Sequence, residues 1–360
     1  METKCRYYGV CGGCSLQHLD YSVQLKKKRR LIESITNSAV LVFSGPEHHY
    51  RNRMDFIFNR PIGLRKRKNW KQIVDIEECM IADLRINKLL AEIRRFFVDP
   101  DSFNVKNHSG TLRYAVIRSA DETSISFVLN SNSTRISAMV EQINLFSENC
   151  SAKNIAVAYV PEKTDMSVSE DYFVVKGKDW LVQDFLGVPF KYNIQGFFQN
   201  NPIVTEKMHK FIRDKIMAYK DTHLLDLYSG VGTFGIINSS NFLSTTLVEN
   251  NPLAAKCAEE NIKFGLNCLL VQTDASKIDR LPLKKPLTII ADPPRTGMAP
   301  IVISKINRLE PKAIVYVSCN PAQLAKDLKK LSGYVIKSVA LFDMFPQTEH
   351  IECVVILEKN

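Results

Sequence analysis

The amino-acid sequence predicts an α/β protein in which residues 195–360 form a doubly wound, mostly parallel sheet. After about residue 195, strand-like apolar runs alternate with helical stretches, as in sheets whose parallel strands are joined by helices. A glycine-rich turn, 226–235, follows the first of these strands. Before residue 195, short strands occur with fewer helices, which indicates a preceding α+β region.

The N-terminal part divides into two predicted regions, 1–90 and 91–194. A cysteine-rich loop comes first, followed by a helix at 21–35 that carries five consecutive basic residues, 26–30, and is expected to have a basic face. Short runs rich in β-forming residues predict the next strands. The predicted strands are 54–58, 73–76, 112–118 and 125–129, with a helix at about 84–97.

The C-terminal region, 195–360, contains the alternating elements. A helix is expected to begin at Pro252, and another spans about 321–331. The predicted strands are 224–228, 245–249, 268–273, 287–292, 314–318, 334–342 and 351–357. Because ligands of such sheets bind beyond the carboxyl ends of the strands, candidate site residues are sought there.

Composition limits the possible functions. The 360 residues are 45% hydrophobic and 24% charged, which excludes wholesale disorder. No apolar run reaches the roughly 18–20 residues of a membrane span, and the N-terminus lacks a secretory apolar segment, so a cytoplasmic protein without membrane contact is expected. We also expect a monomer. The net charge of +10 favours an anionic partner such as nucleic acid, although a merely basic protein remains an alternative.

The glycine turn predicts a nucleotide-like ligand. Residues 226–235 contain GxGxxG, and Glu249 ends the next strand, where it could bind ribose hydroxyls. This pattern fits a dinucleotide or S-adenosylmethionine, and a turn without ligand is a third possibility. Asp226 favours S-adenosylmethionine because its carboxylate could face the cationic methionine end and would repel a pyrophosphate.

Three further strand ends carry reactive side chains. Asp292 follows the fourth strand and is expected to point into the cleft. Cys319 ends the fifth strand beside a helix N-terminus, which could lower its thiol pKa, although a lone cysteine there is often inert. Glu352 lies in an apolar strand and could be a paired structural acid or a general base with a raised pKa.

Four cysteines predict a metal or cluster site. Cys5, Cys11 and Cys14 are spaced C-x5-C-x2-C, and Cys79 is the expected fourth ligand. Four thiolates suit zinc or an iron–sulfur cluster, and CGGC also resembles a redox dithiol. A triplet with one distant cysteine is closer to cluster spacing, for which we expect a structural or RNA-positioning role.

Several sequence motifs, taken together, resemble the RNA uracil-C5 methyltransferases, which form 5-methyluridine in transfer or ribosomal RNA. The matching motifs are CRYYGVCGGC, YRNRMDF, GFFQNN, DLYSGVGTFG, LVENN, ADPPRTG, YVSCNPAQLAKD and DMFPQTEHIE. The resemblance implies a Rossmann-like class I methyltransferase domain, a 4Fe–4S cluster in the N-terminal region and no preceding TRAM barrel.

The same resemblance implies site roles. Cys319 would add to carbon 6 of uracil, and Glu352 would remove the proton from carbon 5. The S-adenosylmethionine pocket would include Gln199, Asp226, Tyr228, Gly230, Thr233, Glu249, Asp274 and Asp292. Gln347 departs from the family pattern, where histidine is frequent.

Basic segments predict how RNA is held. Residues 65–71, RKRKNWK, combine five basic residues with Trp70, and with residues 26–30 and the YRNR motif they would form one basic surface. A solvated hairpin is the alternative for 65–71. Two other functions remain open: a nicotinamide-dependent oxidoreductase, which explains only the glycine turn and Glu249, and a non-catalytic RNA-binding cluster protein.

Overall fold

A computed structural model describes residues 5–59 and 62–360 of the chain. Residues 1–4, 60 and 61, which belong to the predicted region 1–90, lie outside this description. None of the helices found in the two described stretches is long and apolar enough to cross a lipid bilayer.

Helices and strands are numbered in chain order. The helices are α1 (Tyr21–Thr36), α2 (Leu84–Phe96), α3 (Ile136–Asn149), α4 (Pro202–Ile216), α5 (Thr233–Asn238), α6 (Pro252–Asn261), α7 (Pro300–Leu309) and α8 (Pro321–Leu328). The strands before residue 200 are β1 (Val40–Phe43), β2 (Arg53–Ile57), β3 (Gly63–Lys66), β4 (Asn69–Asp75), β5 (Leu112–Ser119), β6 (Thr123–Asn130), β7 (Asn154–Val160), β8 (Tyr172–Lys176), β9 (Trp180–Phe185) and β10 (Val188–Asn193). The later strands are β11 (His223–Leu227), β12 (Thr245–Glu249), β13 (Cys268–Gln272), β14 (Leu287–Ala291), β15 (Ala313–Ser318), β16 (Tyr334–Phe342) and β17 (Glu352–Lys359).

The large sheet contains eight strands in the order β1-β16-β17-β15-β14-β11-β12-β13. Strands β11 to β15 run parallel, whereas β17 is antiparallel to both of its neighbours, β15 and β16. Helices α1, α7 and α8 pack on one face, and α4 and α5 pack on the other. The predicted doubly wound, mostly parallel α/β sheet is therefore confirmed.

A second sheet, β4-β3-β2-β5-β6-β7-β8, is antiparallel except for the β6–β7 pair, and β9 and β10 form a separate hairpin. This second sheet contains strands from both sides of residue 90, so the expected boundary between regions 1–90 and 91–194 runs through a single sheet. Strand β1 departs further from the predicted division, because it pairs with β16 in the large sheet.

Three helices of the large-sheet region begin with the same dipeptide. Asn201, Asn251 and Asn320 are N-caps of α4, α6 and α8, and each side chain accepts a backbone N–H hydrogen bond two or three residues into the helix. A proline follows each asparagine, where its fixed φ suits the first helical turn. The Asn-Pro pairs thus fix where the chain leaves a loop and enters a helix.

Helix α1 confirms the predicted helix at 21–35 but does not confirm a uniformly basic face. Lys28 is 2% exposed, and its Nζ lies 2.6 Å from Oδ1 of Asp343, which is fully buried. Five consecutive residues surround a helix at 100° each, so one of them must face the protein. The other four basic residues, 26, 27, 29 and 30, are exposed.

Candidate active site

Cys319 and Glu352 lie across from each other on neighbouring strands. The register of β15 and β17 pairs Ser318 with Cys353, so the residues one step further out, Cys319 and Glu352, meet at the sheet edge. Adjacent strands are about 4.8 Å apart. Cys319 is exposed, whereas Glu352 is 6% exposed. A reachable thiol therefore stands beside a shielded carboxyl.

The carboxyl of Asp292 belongs to the same group. Asp292 follows β14, which neighbours β15, and burial raises its pKa to about 7. Burial also raises the pKa of Glu352 well above its usual range, and the nearby Asp292 adds to this effect. A carboxylate with a raised pKa is a stronger proton acceptor, which suits a general base.

The expected lowering of the Cys319 thiol pKa is wrong for the structure described here. Partial removal from water, together with the charges of Glu352 and Asp292, raises the pKa of Cys319 to about 11. Helix α8 does begin two residues later, at Pro321, but burial and the two carboxyls raise the thiol pKa. The guanidinium of Arg295 acts in the opposite direction and lowers the Cys319 pKa. Sequence reasoning had not given Arg295 this role.

Asp226 lies beneath the glycine turn and is fully buried. Its Oδ2 accepts a hydrogen bond of 2.7 Å from the backbone N–H of Gly235, in helix α5. Burial raises the Asp226 pKa well above its usual range. The expectation that this carboxylate faces a ligand must therefore be corrected, because the turn itself covers it. Gly235 is required here, since a Cβ would overlap Leu247.

Glu249 ends β12 and organises the neighbouring loop. One carboxyl oxygen accepts from Gly230 N at 2.8 Å, and the other accepts from Asn250 N at 2.9 Å and Asn251 N at 2.7 Å. A carboxylate has about four acceptor positions, so capacity remains for a ligand hydroxyl. This geometry holds the carboxylate at the strand end, where a ribose is expected.

Three other predicted cofactor residues lie near the carboxyl ends of strands in the large sheet. Tyr228 has a φ of 62°, and Thr233 is the first residue of α5. Asp274 follows β13, and its Oδ1 accepts from Ser276 N at 2.8 Å. Gln199 precedes α4, and its carbonyl accepts from the side chain of Asn52. Tyr228, Thr233 and Asp274 therefore lie at the end of the sheet where the cofactor is expected, whereas Gln199 contacts Asn52, which precedes β2.

The four predicted metal ligands line one cavity of about 510 Å³. Burial, with smaller contributions from neighbouring cysteines, raises the pKa of Cys11 to about 11 and that of Cys14 to about 12. Gly13 N donates to Cys11 Sγ at 3.4 Å. Across residues 5–59 and 62–360, no three His, Cys, Asp or Glu side chains are grouped closely enough to hold a metal ion. The cysteines thus share a cavity without forming a single-ion site.

The turn between β16 and β17 joins this cavity to the active-site edge, and sequence reasoning missed its role. The carbonyl of Gln347 accepts from Ser15 N and Leu16 N, both at 3.0 Å, and its side chain bonds Gln24 and Glu47. Only the unusual glutamine in the motif around 347 marked this position in the sequence. The turn is therefore anchored by the cysteine loop and by helix α1.

Comparison with known proteins gives consistent matches. The model of the tRNA (uracil-5-)-methyltransferase family matches residues 20–285 and 277–360. An uncharacterised RNA methyltransferase of Caldanaerobacter subterraneus subsp. tengcongensis is 31% identical over 100% of this chain and 85% of its own length. A tRNA (uracil(54)-C(5))-methyltransferase of Pyrococcus horikoshii is 33% identical over 98% of this chain and 84% of its own.

A solved structure also matches. It is the Pyrococcus abyssi tRNA (uracil-54, C5)-methyltransferase in complex with S-adenosyl-L-homocysteine, with a TM-score of 0.82 and 28% identity. The match covers 97% of this chain and 86% of the other. The similarity therefore includes both sheets.

Proposed function

The chain belongs to the tRNA (uracil-5-)-methyltransferase family, and from this premise we propose that it methylates carbon 5 of a uridine in RNA with S-adenosylmethionine. The observation that carries this proposal is the meeting of Cys319 and Glu352 at the edge of β15 and β17, beside Asp292. The reaction needs a thiol nucleophile and a carboxylate base on one ring, and these residues supply both.

Each residue has one chemical task in this mechanism. Carbon 5 of uracil is a poor nucleophile, so the Cys319 thiolate adds to carbon 6 and places electron density on carbon 5. S-adenosylmethionine supplies an electrophilic methyl group on a cationic sulfur. After carbon 5 takes the methyl group, the Glu352 carboxylate removes the proton from carbon 5. The electrons of that bond restore the ring double bond and expel the Cys319 thiolate.

The cofactor would lie at the carboxyl ends of β11, β12 and β14. Glu249 would bind the ribose hydroxyls, and the backbone at Gly230 and Thr233 would form the adjoining turn. Tyr228, Asp274, Asp292 and Gln199 would complete the walls. Asp226 would act from beneath, by holding Gly235 and the first turn of α5.

Trapping with 5-fluorouridine tests the mechanism. Fluorine replaces the hydrogen that Glu352 must remove, so the Cys319 adduct cannot be resolved and should survive denaturing electrophoresis. Cys319→Ala should form no adduct. Cys268 is a half-buried cysteine on the edge strand β13, and the control variant Cys268→Ala should form the adduct normally. An adduct of equal yield with Cys319→Ala would refute the assignment. Glu352→Gln lacks the base, so with RNA that contains ordinary uridine it should accumulate the methylated Cys319 adduct.

For the substrate, we propose transfer RNA. The Pyrococcus relatives are named for uracil 54 of transfer RNA, whereas other relatives carry no such assignment. Total RNA from cells that lack this protein should accept a labelled methyl group from the purified protein. Mapping the label to transfer RNA is the expected result, and a label confined to ribosomal RNA would redirect the proposal.

We also propose that Cys5, Cys11, Cys14 and Cys79 hold a 4Fe–4S cluster. All four thiols line one cavity, and four cysteine thiolates are the usual ligands of such a cluster. No step above transfers an electron, so its role would be structural. Anaerobically purified protein should contain iron and sulfide, and stoichiometric zinc without iron would refute the cluster.

A further inference from the structure

A basic groove lies between the β3–β4 hairpin and the segment that leads into β5. Its volume is about 630 Å³. Its cationic side chains are Arg65, Lys66, Lys71, Lys106 and Arg113. Among the described residues that line the groove, none is aspartate or glutamate. Five cations without an acidic wall residue favour a polyanion over a protein surface of mixed charge.

Trp70 forms an aromatic platform at this groove. Its side chain is 54% exposed, which is unusual for so large an apolar group. Lys71 Nζ lies 5.6 Å from the ring centroid, and Arg65 Nη1 donates to the Trp70 carbonyl at 2.8 Å. Arg65 also pairs with Asp165 at 2.5 Å, so it is already partly neutralised. Its main contribution is to hold Trp70, which leaves the lysines free for an anion.

Arg113 forms the floor of the groove and has an unused donor. It is 3% exposed, and its guanidinium carbon lies 4.1 Å over the ring of Phe103. Its Nη1 donates to Pro161 O at 2.9 Å, but Nε is buried without a partner among the described residues. Because Nε is buried, Arg113 contributes its positive charge to the groove rather than a donor that a ligand reaches directly.

The groove adjoins the cysteine cavity. Arg65 and Tyr114 line both the groove and the cysteine cavity. That cavity is also lined by Arg51, Arg53 and Asn200, and Asn200 directly follows Gln199. An RNA strand that occupies the groove can therefore extend into the cysteine cavity, whose wall also carries Asp55, Glu78 and Asp165.

We propose that this groove binds a single-stranded segment of the substrate RNA outside the target uridine, with one base stacked on Trp70. The phosphates would contact Lys66, Lys71 and Lys106, whose side chains are exposed. The proposal rests on the proposed function only for the identity of the RNA as substrate. The groove would contribute affinity rather than chemistry, because it contains neither Cys319 nor Glu352.

Tryptophan fluorescence tests the stacking directly, since the chain has two tryptophans. In Trp180→Phe, all tryptophan emission comes from Trp70. Unmodified transfer RNA transcript should quench this emission in parallel with binding measured by fluorescence anisotropy of labelled RNA. Binding without a change in Trp70 emission would overturn the proposal. This readout needs no methyl transfer.

Substitution gives the second measurement. Trp70→Ala should raise the Kd for the transcript about 5- to 100-fold, the range for one stacked base, and leave kcat at saturating RNA unchanged. Phe264→Ala is the matched control, because Phe264 is 43% exposed with Lys263 Nζ at 5.0 Å from its ring. Equal Kd values for the two variants would refute the groove. If transfer RNA quenches the tryptophan emission but the wild-type protein transfers no methyl group to it, the groove stands and the proposed function is refuted.

Discussion

Replacing Lys28 with methionine should destabilise the protein although the residue belongs to a basic run. The Lys28 Nζ contacts Asp343 Oδ1 at 2.6 Å and Phe345 O at 3.2 Å, while Tyr21 donates to Asp343 Oδ2 at 2.8 Å. Both members of the ion pair are buried. Removing one partner leaves an uncompensated buried charge, so Lys28→Met should lower the free energy of unfolding by about 3–5 kcal/mol.

Lys27→Met is the matched control, one residue earlier in α1. Lys27 is exposed and lies 3.5 Å from the exposed Glu349, so its loss should cost only about 0–1 kcal/mol. Urea denaturation followed by circular dichroism measures both variants. Adding Asp343→Leu to Lys28→Met should recover much of the loss, because no unpaired charge then remains. Equal destabilisation by Lys28→Met and Lys27→Met would refute the reasoning.

Three more predictions address the site and the core. Arg295→Met should raise the Cys319 thiol pKa further, so the rate of 5-fluorouridine adduct formation should fall at neutral pH and recover at higher pH. Arg295→Lys should behave more like wild type, and identical pH profiles for Arg295→Met and wild type would contradict this. Burial lowers the His209 pKa to about 3, so between pH 7 and pH 5 this histidine takes up a proton only in the unfolded chain, and the free energy of unfolding should fall by about 2 kcal/mol. Urea denaturation at the two pH values should show this loss in wild type and not in His209→Leu, and equal losses in both proteins would contradict it. Gly235→Ala should lower the free energy of unfolding by about 1–3 kcal/mol, because the added Cβ would overlap the side chain of buried Leu247. Calorimetry should also show weaker S-adenosylmethionine binding, whereas an unchanged free energy of unfolding would contradict the overlap.

Local patterns were sufficient for most strands of the large sheet. Apolar runs followed by glycine, Asn-Pro or Asp-Pro-Pro identified β11, β12, β14 and β15, because a buried parallel strand has little polar alternation. The sequence could not place β1, since its four residues pair with β16 almost 300 positions later. Nor could it orient β17, because insertion between β15 and β16 depends on tertiary packing rather than on its own residues.

The same distinction applies to the candidate site. The sequence marked Cys319 and Glu352 as candidates because their chemistry suits one reaction, but only the antiparallel register of β15 and β17 shows that they meet. The direction of the Asp226 side chain and the pKa of Cys319 could not be predicted either, because both depend on which groups surround them in space. Asp226 lies within β11, and its carboxyl accepts from Gly235 N beneath the turn, where a Cβ on residue 235 would lie 3.0 Å from Asp226 Oδ2.

Besides its pairing with Phe342 in the large sheet, Glu352 is positioned by a connection that the N-terminal segment anchors. Residues 343–351 connect β16 to Glu352, and Gln347 within them has a φ of 68°, which is unfavourable without external support. That support comes from Ser15 and Leu16 of the cysteine loop, while Tyr50 donates to Pro346 O at 3.0 Å. If the cysteine loop loosens, these bonds are lost and the entry into β17 loses its anchors. The cysteines can therefore influence methyl transfer by holding this turn, without taking part in any chemical step.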